Sequence, residues 1–253
     1  MHVRVESLSH TYFQQLDRPL SALQEIDLEI QSGEFIAVLG PSGCGKSTFL
    51  RALSGLLKPS AGQVLLDGEP PHLALHAKRI GWLAQNPALL PWHTARENIA
   101  LAQRINPQNG RTLLSPDDLL GRMGLSDYAG NYPFSLSGGM KHRVALARTL
   151  ALNASLWLMD EPFAALDELT REALTEELLS LWTQFRPTAV WVTHHIYEAA
   201  RLANRVFILT PRPGRIATCI TIPLSYPRDE TQPEFGYAVH AIRAALRSSQ
   251  ERV

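Results

Sequence analysis

Short apolar runs recur along the chain and alternate with segments of helical periodicity. This pattern is typical of an α/β protein with a mostly parallel sheet, because strands that are buried on both faces read as continuous apolar runs. Gly33 and Gly40 bound the first of these runs. Buried strands are predicted at residues 35–39, 156–159, 189–192 and 206–209.

The N-terminal part of the chain has a different pattern, in which short strand-like runs are separated by turn residues. Turns are predicted at Ser32-Gly33 and Asp67-Gly68. Strands joined by such turns favour an antiparallel flank beside the parallel core. The predicted strands of this flank lie at residues 3–12, 28–30 and 63–66.

Between about residue 87 and residue 154 the strand-like runs stop and helical periodicity takes over. We therefore expect a helical lobe inserted into the α/β core. A further amphipathic helix is expected near the C-terminus, after a polar segment that contains proline. The helical patterns lie at residues 94–104, 117–123, 140–152 and 237–246.

The composition narrows the classes of function. The 253 residues include 24 lysines and arginines and 24 aspartates and glutamates, so the formal net charge is zero. This balance gives no electrostatic support for DNA or RNA as the main partner. Cys44 and Cys219 lack the spacing of a disulfide framework or a zinc site. Neither a membrane span nor a signal peptide is evident, so we expect a cytoplasmic protein that reaches a membrane only through a partner.

A glycine-rich segment directly follows the predicted strand at residues 35–39 and leads into a helical pattern. It matches G-x-x-x-x-G-K-[ST] in the strand–loop–helix context of a phosphate loop. Glycines let successive N–H groups point into one concavity that holds phosphate oxygens. Lys46 adds a point charge there, and the Ser47 hydroxyl can bind Mg²⁺. The expected nucleotide-binding residues of this loop are Gly40, Pro41, Ser42, Gly43, Cys44, Gly45, Lys46, Ser47 and Thr48.

Two carboxylates stand at the C-terminal end of the predicted strand at residues 156–159. Asp160 and Glu161 come directly after that apolar run. In open α/β sheets, ligands bind at the carboxyl ends of the strands. Asp160 is suited to orient Mg²⁺ and its water ligands, and Glu161 is suited to polarise an attacking water.

A second candidate anion site precedes the helical pattern at residues 140–152. Ser137 is a natural N-cap for that helix. Gly138 and Gly139 leave the first-turn amides bare, so this helix N-terminus can bind an anion.

The run Leu136-Ser137-Gly138-Gly139 lies upstream of Asp160-Glu161 and is followed by Ala147-Arg148. It resembles the signature of the ATP-binding-cassette (ABC) family, and the resemblance covers nearly the whole chain. The implied fold class is α/β: a P-loop NTPase (RecA-like) core with an antiparallel β flank and an inserted α-helical signature lobe. The implied domains are an ABC ATPase at 1–225, with its core at 1–86 and 156–225 and its lobe at 87–155, and a tail with a short helix at 226–253.

The resemblance also implies roles for single residues. Tyr12 resembles the aromatic residue that stacks on adenine, and Gln85 the glutamine that reaches Mg²⁺ and the attacking water. Asp167, in Ala165-Leu166-Asp167, matches the loop that crosses to the partner's site, and His194 matches the histidine that contacts the γ-phosphate. The implied catalytic residues are Glu161, His194, Lys46 and Gln85, and the implied metal ligands are Ser47, Gln85 and Asp160.

In this family the signature of one subunit closes over nucleotide held by the phosphate loop of the other. A second helix N-terminus then completes the electrostatic cage around the γ-phosphate. The resemblance thus implies ATP and Mg²⁺ as cofactors and a dimer with a second copy or a homologous ATPase subunit. It also implies transmembrane permease subunits and, indirectly, a substrate-binding protein.

Three segments resemble the importer branch for nitrate, taurine and alkanesulfonates, which also includes systems for thiamine-type pyrimidine precursors. The first runs from Asn86 to Trp92 after Gln85, the second from Asp160 to Asp167 with Thr170-Arg171, and the third is Pro211-Arg212-Pro213-Gly214-Arg215-Ile216. We expect an importer subunit at the cytoplasmic face of the membrane, with Leu89-Leu90-Pro91-Trp92 as a docking surface for a permease helix. These residues do not indicate which substrate is transported.

The sequence argues against two other classes of protein. A soluble ABC-type ATPase that acts on nucleic acid or the ribosome predicts a basic face, two cassettes in one chain or a long coiled-coil insertion, and none is visible in the sequence. A P-loop kinase or GTPase has no use for the signature or for His194.

The sequence departs from the family pattern near the signature. Met140 stands where glutamine is usual, His142 stands where glutamine is common, and His195 stands where an aspartate commonly follows the histidine. We expect Met140 to alter affinity or rate without abolishing activity. Because Cys44 lies inside the phosphate loop, a thiol reagent that reaches it is expected to block nucleotide binding.

Overall fold

The computed structural model describes residues 1–13, 19–106, 114–164 and 166–250. The strands are β1 (Val3–Phe13), β2 (Pro19–Ile30), β3 (Phe35–Leu39), β4 (Ala61–Leu66), β5 (Ile80–Leu83), β6 (Leu156–Asp160), β7 (Thr188–Val192), β8 (Arg205–Leu209) and β9 (Ile216–Thr221). The helices are α1 (Lys46–Leu53), α2 (Pro71–His76), α3 (Ala95–Ile105), α4 (Pro116–Arg122), α5 (Gly138–Ala151), α6 (Glu168–Phe185), α7 (Ile196–Leu202) and α8 (Pro233–Gln250).

The chain divides into two compact units. The first consists of residues 1–75 and 188–253, and the second of residues 76–187. The predicted division into a core, a lobe that begins at residue 87 and a tail that begins at residue 226 stays a prediction.

A parallel sheet forms the centre of the first unit. β3 lies between β7 and β8 and is parallel to both, and β9 pairs antiparallel with β8. Every residue of β3 and β7 is buried, which explains why these strands are apolar throughout. The helices α7 and α8 pack against this sheet, α7 on β3 and α8 on β8 and β9. The predicted buried strands at residues 35–39, 189–192 and 206–209 are confirmed.

The first unit also carries the antiparallel flank. β1 pairs with both β2 and β4, so that Val3 lies opposite Ile30 on one side and Leu66 on the other. Val3, Ile30 and Leu66 are buried, which places one face of this small sheet on the core. The predicted flank is confirmed, and β2 begins nine residues before the run predicted at residue 28.

The second unit is mostly helical. β5 and β6 pair in parallel, with Ile80 opposite Leu156, and α5 packs against α3, α4 and β5. Capping boxes start two of the helices: Thr94 caps α3 and Ser115 caps α4. Among the described residues between 87 and 154 no strand occurs, as the periodicity predicts.

Several elements were not predicted from the sequence. β5 contains Gly81, which interrupts its short apolar run, and β9 is only partly buried, so neither shows the signal of a buried strand. α6 and α7 were also not predicted, and α8 is longer than the predicted helix at 237–246. Within the described ranges, no helix is both long enough and apolar enough to span a bilayer.

Candidate nucleotide-binding site

β3 ends in the phosphate loop, and Gly45 turns that loop into α1. Gly45 has φ +107°, and a Cβ added there would lie 2.7 Å from the Ala22 carbonyl oxygen, so only glycine fits. Its carbonyl accepts the hydrogen bond of the Phe49 N–H at 2.8 Å, which starts the helix. The first turn of α1 contains no acidic residue. Its N-terminus is therefore suited to an anion.

Lys46 is folded back over the loop that precedes it. Its ammonium donates to the carbonyl oxygens of Gly40 at 2.8 Å and Pro41 at 3.0 Å. The residue is buried, and these two acceptors compensate the charge for its lost hydration. The positive charge thus lies at the mouth of the loop, where phosphate oxygens can compete with the two carbonyls.

Tyr12 stands beside the phosphate loop. Its hydroxyl lies 3.3 Å from the Thr48 hydroxyl on α1, and its ring makes an edge-on contact with His10 at a centroid distance of 4.5 Å. The structure therefore brings together two of the predicted nucleotide-binding residues. A ring in this position can flank a nucleotide held by the loop.

His194 lies at the same edge of the parallel sheet as the phosphate loop. Val38 on β3 pairs with Val192 on β7. The phosphate loop begins two residues after Val38, and His194 lies two residues after Val192. The buried Glu198 carboxylate anchors the segment that follows β7, because it accepts hydrogen bonds from the Thr193 hydroxyl at 2.7 Å and from the Trp191 indole at 3.1 Å. His194 itself is exposed.

In the second unit, Asp160 and Glu161 end β6. Asp160 is buried, whereas Glu161 is partly exposed and has φ +48°. A non-glycine residue in this region is strained, and such strain clusters at functional sites. Leu83 on β5 pairs with Met159 on β6, so Gln85 and Glu161 follow two neighbouring strands at one edge. The structure thus brings these two predicted residues to the same place.

The signature forms the N-terminus of α5. The Ser137 hydroxyl accepts the Met140 N–H at 3.2 Å, which confirms Ser137 as the N-cap. Ser137 and Gly138 are exposed. A Cβ added at Gly138 would meet no atom within 4 Å, so packing within the described chain does not require glycine at this position.

Two basic side chains of α5 hold the segment that follows β5. His142 lies 3.0 Å from the Gly138 carbonyl oxygen through Nδ1 and 3.0 Å from the Gln85 carbonyl oxygen through Nε2. Arg148 donates to the carbonyls of Pro87 at 2.8 Å and Ala88 at 3.0 Å. The backbone at Gln85 is therefore attached to the signature helix, while the Gln85 residue stays exposed.

Asp167 caps α6. Its carboxylate accepts the Thr170 N–H at 3.0 Å, and hydrogen bonds from the Thr170 backbone and side chain lower the pKa of Asp167. Arg171 holds the preceding turn by donating to the Leu166 carbonyl at 2.8 Å and pairs with Glu168 at 2.7 Å. Ala165, which was predicted with this loop, lies outside the described residues.

Cys44 is buried, which opposes the predicted reaction with a thiol reagent. The residue is 1% exposed, and burial raises the pKa of its thiol. A Cβ added at Gly40 would lie 2.8 Å from the Cys44 sulfur, so the side chain packs behind the loop. Cys44 therefore contributes its backbone amide, and not its side chain, to the concave face of the loop.

A family model described as "ABC transporter" matches residues 23–164, more than half of the chain. The chain belongs to the ABC transporter family. Because the members of this family are ATP-binding cassettes, the chain is a transport ATPase.

Relatives over most of the chain agree with this family. The nitrate import ATP-binding protein of Synechococcus elongatus is 42% identical over 83% of this chain and 78% of its own length. The aliphatic sulfonates import ATP-binding protein of Bacillus cereus is 37% identical over 93% of this chain and 92% of its own length. The predicted resemblance to the importer branch is therefore confirmed at the level of sequence similarity.

The fold agrees with solved ABC cassettes. A dimeric structure of a post-hydrolysis state of an ATP-binding cassette bound to ADP and Pi superposes with a TM-score of 0.79. It is 30% identical and covers 88% of this chain and all of that one. The predicted α/β P-loop NTPase fold is confirmed. The roles predicted for single residues of the ABC site stay predictions.

The sequence alone did not reveal which side chains hold the functional loops of this ABC cassette. In the sequence, His142 stands out only as a departure from the usual residue, and Arg148 only as part of the pattern after the signature. Both side chains donate to backbone carbonyls. Because every residue has a backbone carbonyl, the residues that accept these hydrogen bonds form no sequence motif. A basic residue at helical spacing behind an anion-binding N-terminus is the one signal that could have indicated them.

Proposed function

We propose that this chain is the subunit that binds and hydrolyses ATP to drive a membrane importer for a small anion such as nitrate, taurine or an alkanesulfonate. The observation that carries the proposal is the phosphate loop, in which Gly45 opens the N-terminus of α1 and the Lys46 ammonium lies over the loop. The phosphate chain of ATP fits this arrangement of amides and positive charge.

The first unit supplies the residues proposed to hold the nucleotide. The loop amides cradle the α- and β-phosphates, and Lys46 exchanges the Gly40 and Pro41 carbonyls for β- and γ-phosphate oxygens. Tyr12 stacks on adenine, and its bond to Thr48 ties the ring to the loop. His194 contacts the γ-phosphate.

The proposed metal ligands are a hydroxyl, a carboxylate and an amide, from Ser47, Asp160 and Gln85. All three offer oxygen, the donor that Mg²⁺ prefers, and Mg²⁺ is commonly held by one or two carboxylates together with substrate phosphates. These residues therefore fit Mg²⁺. When bound with ATP, Mg²⁺ neutralises charge that develops on the β- and γ-phosphates.

Glu161 is the proposed catalytic carboxylate. It orients the water that attacks the γ-phosphorus, the bond between the γ-phosphorus and the bridging oxygen breaks, and ADP and phosphate leave. The left-handed backbone at Glu161 supports this role, because residues held in such conformations concentrate at active sites.

We propose that two cassettes share their nucleotides, with the signature of one covering ATP held by the other. Ser137, Gly138 and Gly139 then offer a second helix N-terminus to the γ-phosphate, and Asp167 reaches the partner's site. The space at Gly138 supports this arrangement, because nothing within the described chain fills it. The cassette bound to ADP and Pi is likewise described as dimeric.

The segment after Gln85 is the proposed docking surface for a permease subunit. Trp92 is 68% exposed, while the buried Asn98 holds the backbone beneath it through the Leu90 N–H at 2.9 Å and the His93 carbonyl at 3.0 Å. An exposed indole on a fixed turn suits contact with an apolar helix. The chain would thus lie at the cytoplasmic face of the membrane as a peripheral subunit, and a substrate-binding protein would contact it only indirectly.

The anion class rests on the two relatives named for nitrate and aliphatic sulfonates. The pyrimidine-precursor branch remains the alternative cargo. A nucleic-acid or ribosome partner is not favoured, because the chain has no net charge.

ATP hydrolysis by the purified chain tests the enzymatic part of the proposal. We expect phosphate release by the wild type, loss of nucleotide binding in Lys46→Ala, and nucleotide binding without turnover in Glu161→Gln. Hydrolysis that persists in Glu161→Gln would contradict the assigned role.

Growth of cells that lack the chain tests the cargo. With nitrate, taurine or an alkanesulfonate as the only nitrogen or sulfur source, growth should fail on one of these anions and return when the chain is restored. Unimpaired growth on all three, with loss on a pyrimidine precursor, would favour the alternative.

A further inference from the structure

The segment from Pro211 to Ile216, which follows β8, lies directly behind the phosphate loop in the first unit. The guanidinium of Arg212 donates to the Gly43 carbonyl oxygen through Nε at 3.0 Å and through Nη2 at 2.9 Å. One backbone oxygen of the loop thus receives two charge-assisted hydrogen bonds from a single side chain.

Gly214 supports the next peptide of the loop. A Cβ added at Gly214 would lie 2.1 Å from the Cys44 carbonyl oxygen, so the two backbones touch and only glycine permits the approach. Gly214 is itself held on β2, because its N–H donates to Ala22 at 3.0 Å and its carbonyl accepts from Gln24 at 3.0 Å. The segment is therefore a fixed support that meets two consecutive loop carbonyls.

The direction of these carbonyls decides where the loop amides point. In a trans peptide the C=O and the following N–H point in opposite directions. With the Gly43 oxygen drawn toward Arg212, the Cys44 N–H points to the other side, where it donates to the Pro41 carbonyl oxygen across the loop at an N···O distance of 3.3 Å. With the Cys44 oxygen against Gly214, the Gly45 N–H faces the same way.

The loop needs this support because glycines flank Cys44 on both sides. Gly43 has φ +74° and Gly45 has φ +107°, and glycine can leave such conformations with little steric resistance. Ordering a flexible loop when the ligand binds costs affinity, and a contact that orders it beforehand removes part of that cost.

We propose that Arg212 is a positioning residue for nucleotide binding, which acts by holding the Gly43 carbonyl outward so that the loop amides face the phosphates. The inference rests on the proposed binding of ATP by this loop and adds a residue to it. Arg212 contacts the loop backbone and is not a catalytic residue.

Arg215 provides a matched control. It lies three residues further along the same segment, is exposed like Arg212, and donates to the Gln24 side chain at 3.3 Å instead of to the loop. Replacing either arginine by glutamine removes one exposed positive charge from the same segment. Only the Arg212 change removes the bonds to Gly43.

The test measures ATP and ADP affinity of the full-length chain by calorimetric titration, with thermal melting as the measure of folding. We expect Arg212→Gln to weaken ATP and ADP about fivefold, a typical effect of losing hydrogen bonds to one partner. Both nucleotides should weaken equally, because the loop amides cradle the α- and β-phosphates that ATP and ADP share. Arg215→Gln should leave both affinities and the melting temperature within error.

Steady-state hydrolysis gives a second readout. In Arg212→Gln the KM for ATP should rise about fivefold while kcat at saturation stays the same, since the loop is ordered once nucleotide is bound. Arg212→Lys, which can donate to the same carbonyl without the two-pronged geometry, should recover part of the affinity.

Three results would overturn the inference: equal affinities in Arg212→Gln and Arg215→Gln, a loss confined to ATP, or a lower kcat with unchanged KM. A loss confined to ATP would instead indicate direct contact with the γ-phosphate. Failure of the proposed function looks different, because the folded wild type would then bind neither nucleotide and Lys46→Ala would change nothing.

Discussion

Two glycine-rich helix N-termini in this molecule differ in what surrounds them. In the phosphate loop, added Cβ atoms would meet the chain itself: the Cys44 sulfur at 2.8 Å from Gly40 and the Ala22 oxygen at 2.7 Å from Gly45. At the signature, a Cβ on Gly138 would meet no atom within 4 Å. The glycines of the first site are thus required by its own fold, and Gly138 is not.

This difference indicates that the phosphate loop is completed within one chain and the signature site by a second molecule. The phosphate loop is shaped from within, by Lys46 over its mouth and by Arg212 and Gly214 behind it. The signature presents a capped helix N-terminus to open space. The open space at Gly138 leaves room for a molecule outside the chain, and the proposed occupant is the partner's nucleotide.

The largest effect is expected from Gly45→Ala. The left-handed backbone and the short approach to Ala22 both oppose a side chain, so the free energy of unfolding should fall by about 2–3 kcal/mol. Nucleotide binding should be lost as the loop is displaced. Thermal melting and ATP titration check this, and a variant that melts and binds like the wild type would contradict the account of the loop.

Gly138→Ala should separate folding from function. The free energy of unfolding should stay within about 0.5 kcal/mol of the wild type, because the site is open. Hydrolysis should fall roughly tenfold to a hundredfold, since the added methyl displaces a donor from the γ-phosphate.

Gly236→Ala is the control for that change, because it is also an exposed helical glycine with no neighbour within 4 Å. It should leave hydrolysis unchanged. Normal hydrolysis in Gly138→Ala would remove the reason to assign a partner to the open space.

His142→Ala tests how the signature helix holds the Gln85 backbone. Loss of the contacts to the Gly138 and Gln85 carbonyls should lower hydrolysis about fivefold through misplacement of Gln85. His142→Gln should keep most of the activity, because its side-chain amide has donors to offer. If both variants hydrolyse ATP equally slowly, the contact with Gln85 is not what matters.

The smallest effect concerns the thiols. Burial raises the pKa of both thiols, but Cys44 is buried and Cys219 is exposed, so alkylation at neutral pH should modify Cys219 first and leave hydrolysis intact. Mass spectrometry of the alkylated protein identifies the site, with Cys219→Ser as the control that should show only slow modification. Rapid labelling of Cys44 would show that the loop opens.

The strands that are buried along their whole length were predictable from the sequence. β3, β6 and β7 are buried at every position, so each appears in the sequence as an uninterrupted apolar run. β9 was not predictable in this way, because it lies at the edge of its sheet and is only partly buried. The lobe helices were predictable because capping residues accompany their periodicity, as at Thr94.

The motifs of the candidate site were predictable, and the side chains that support them were not. The phosphate loop and the signature follow from local motifs, because their chemistry needs particular residues at fixed spacing. The burial of Cys44 and the contact from Arg212 to Gly43 depend on segments far apart in sequence. Such contacts need the folded chain to be seen.

Light scattering on purified Glu161→Gln tests whether two cassettes close over shared ATP. Blocked hydrolysis should trap the closed state, so the mass should double when ATP is added. Adding Gly138→Ala to this variant should restore the monomer mass. A Glu161→Gln protein that binds ATP and keeps the mass of a monomer would contradict the claim.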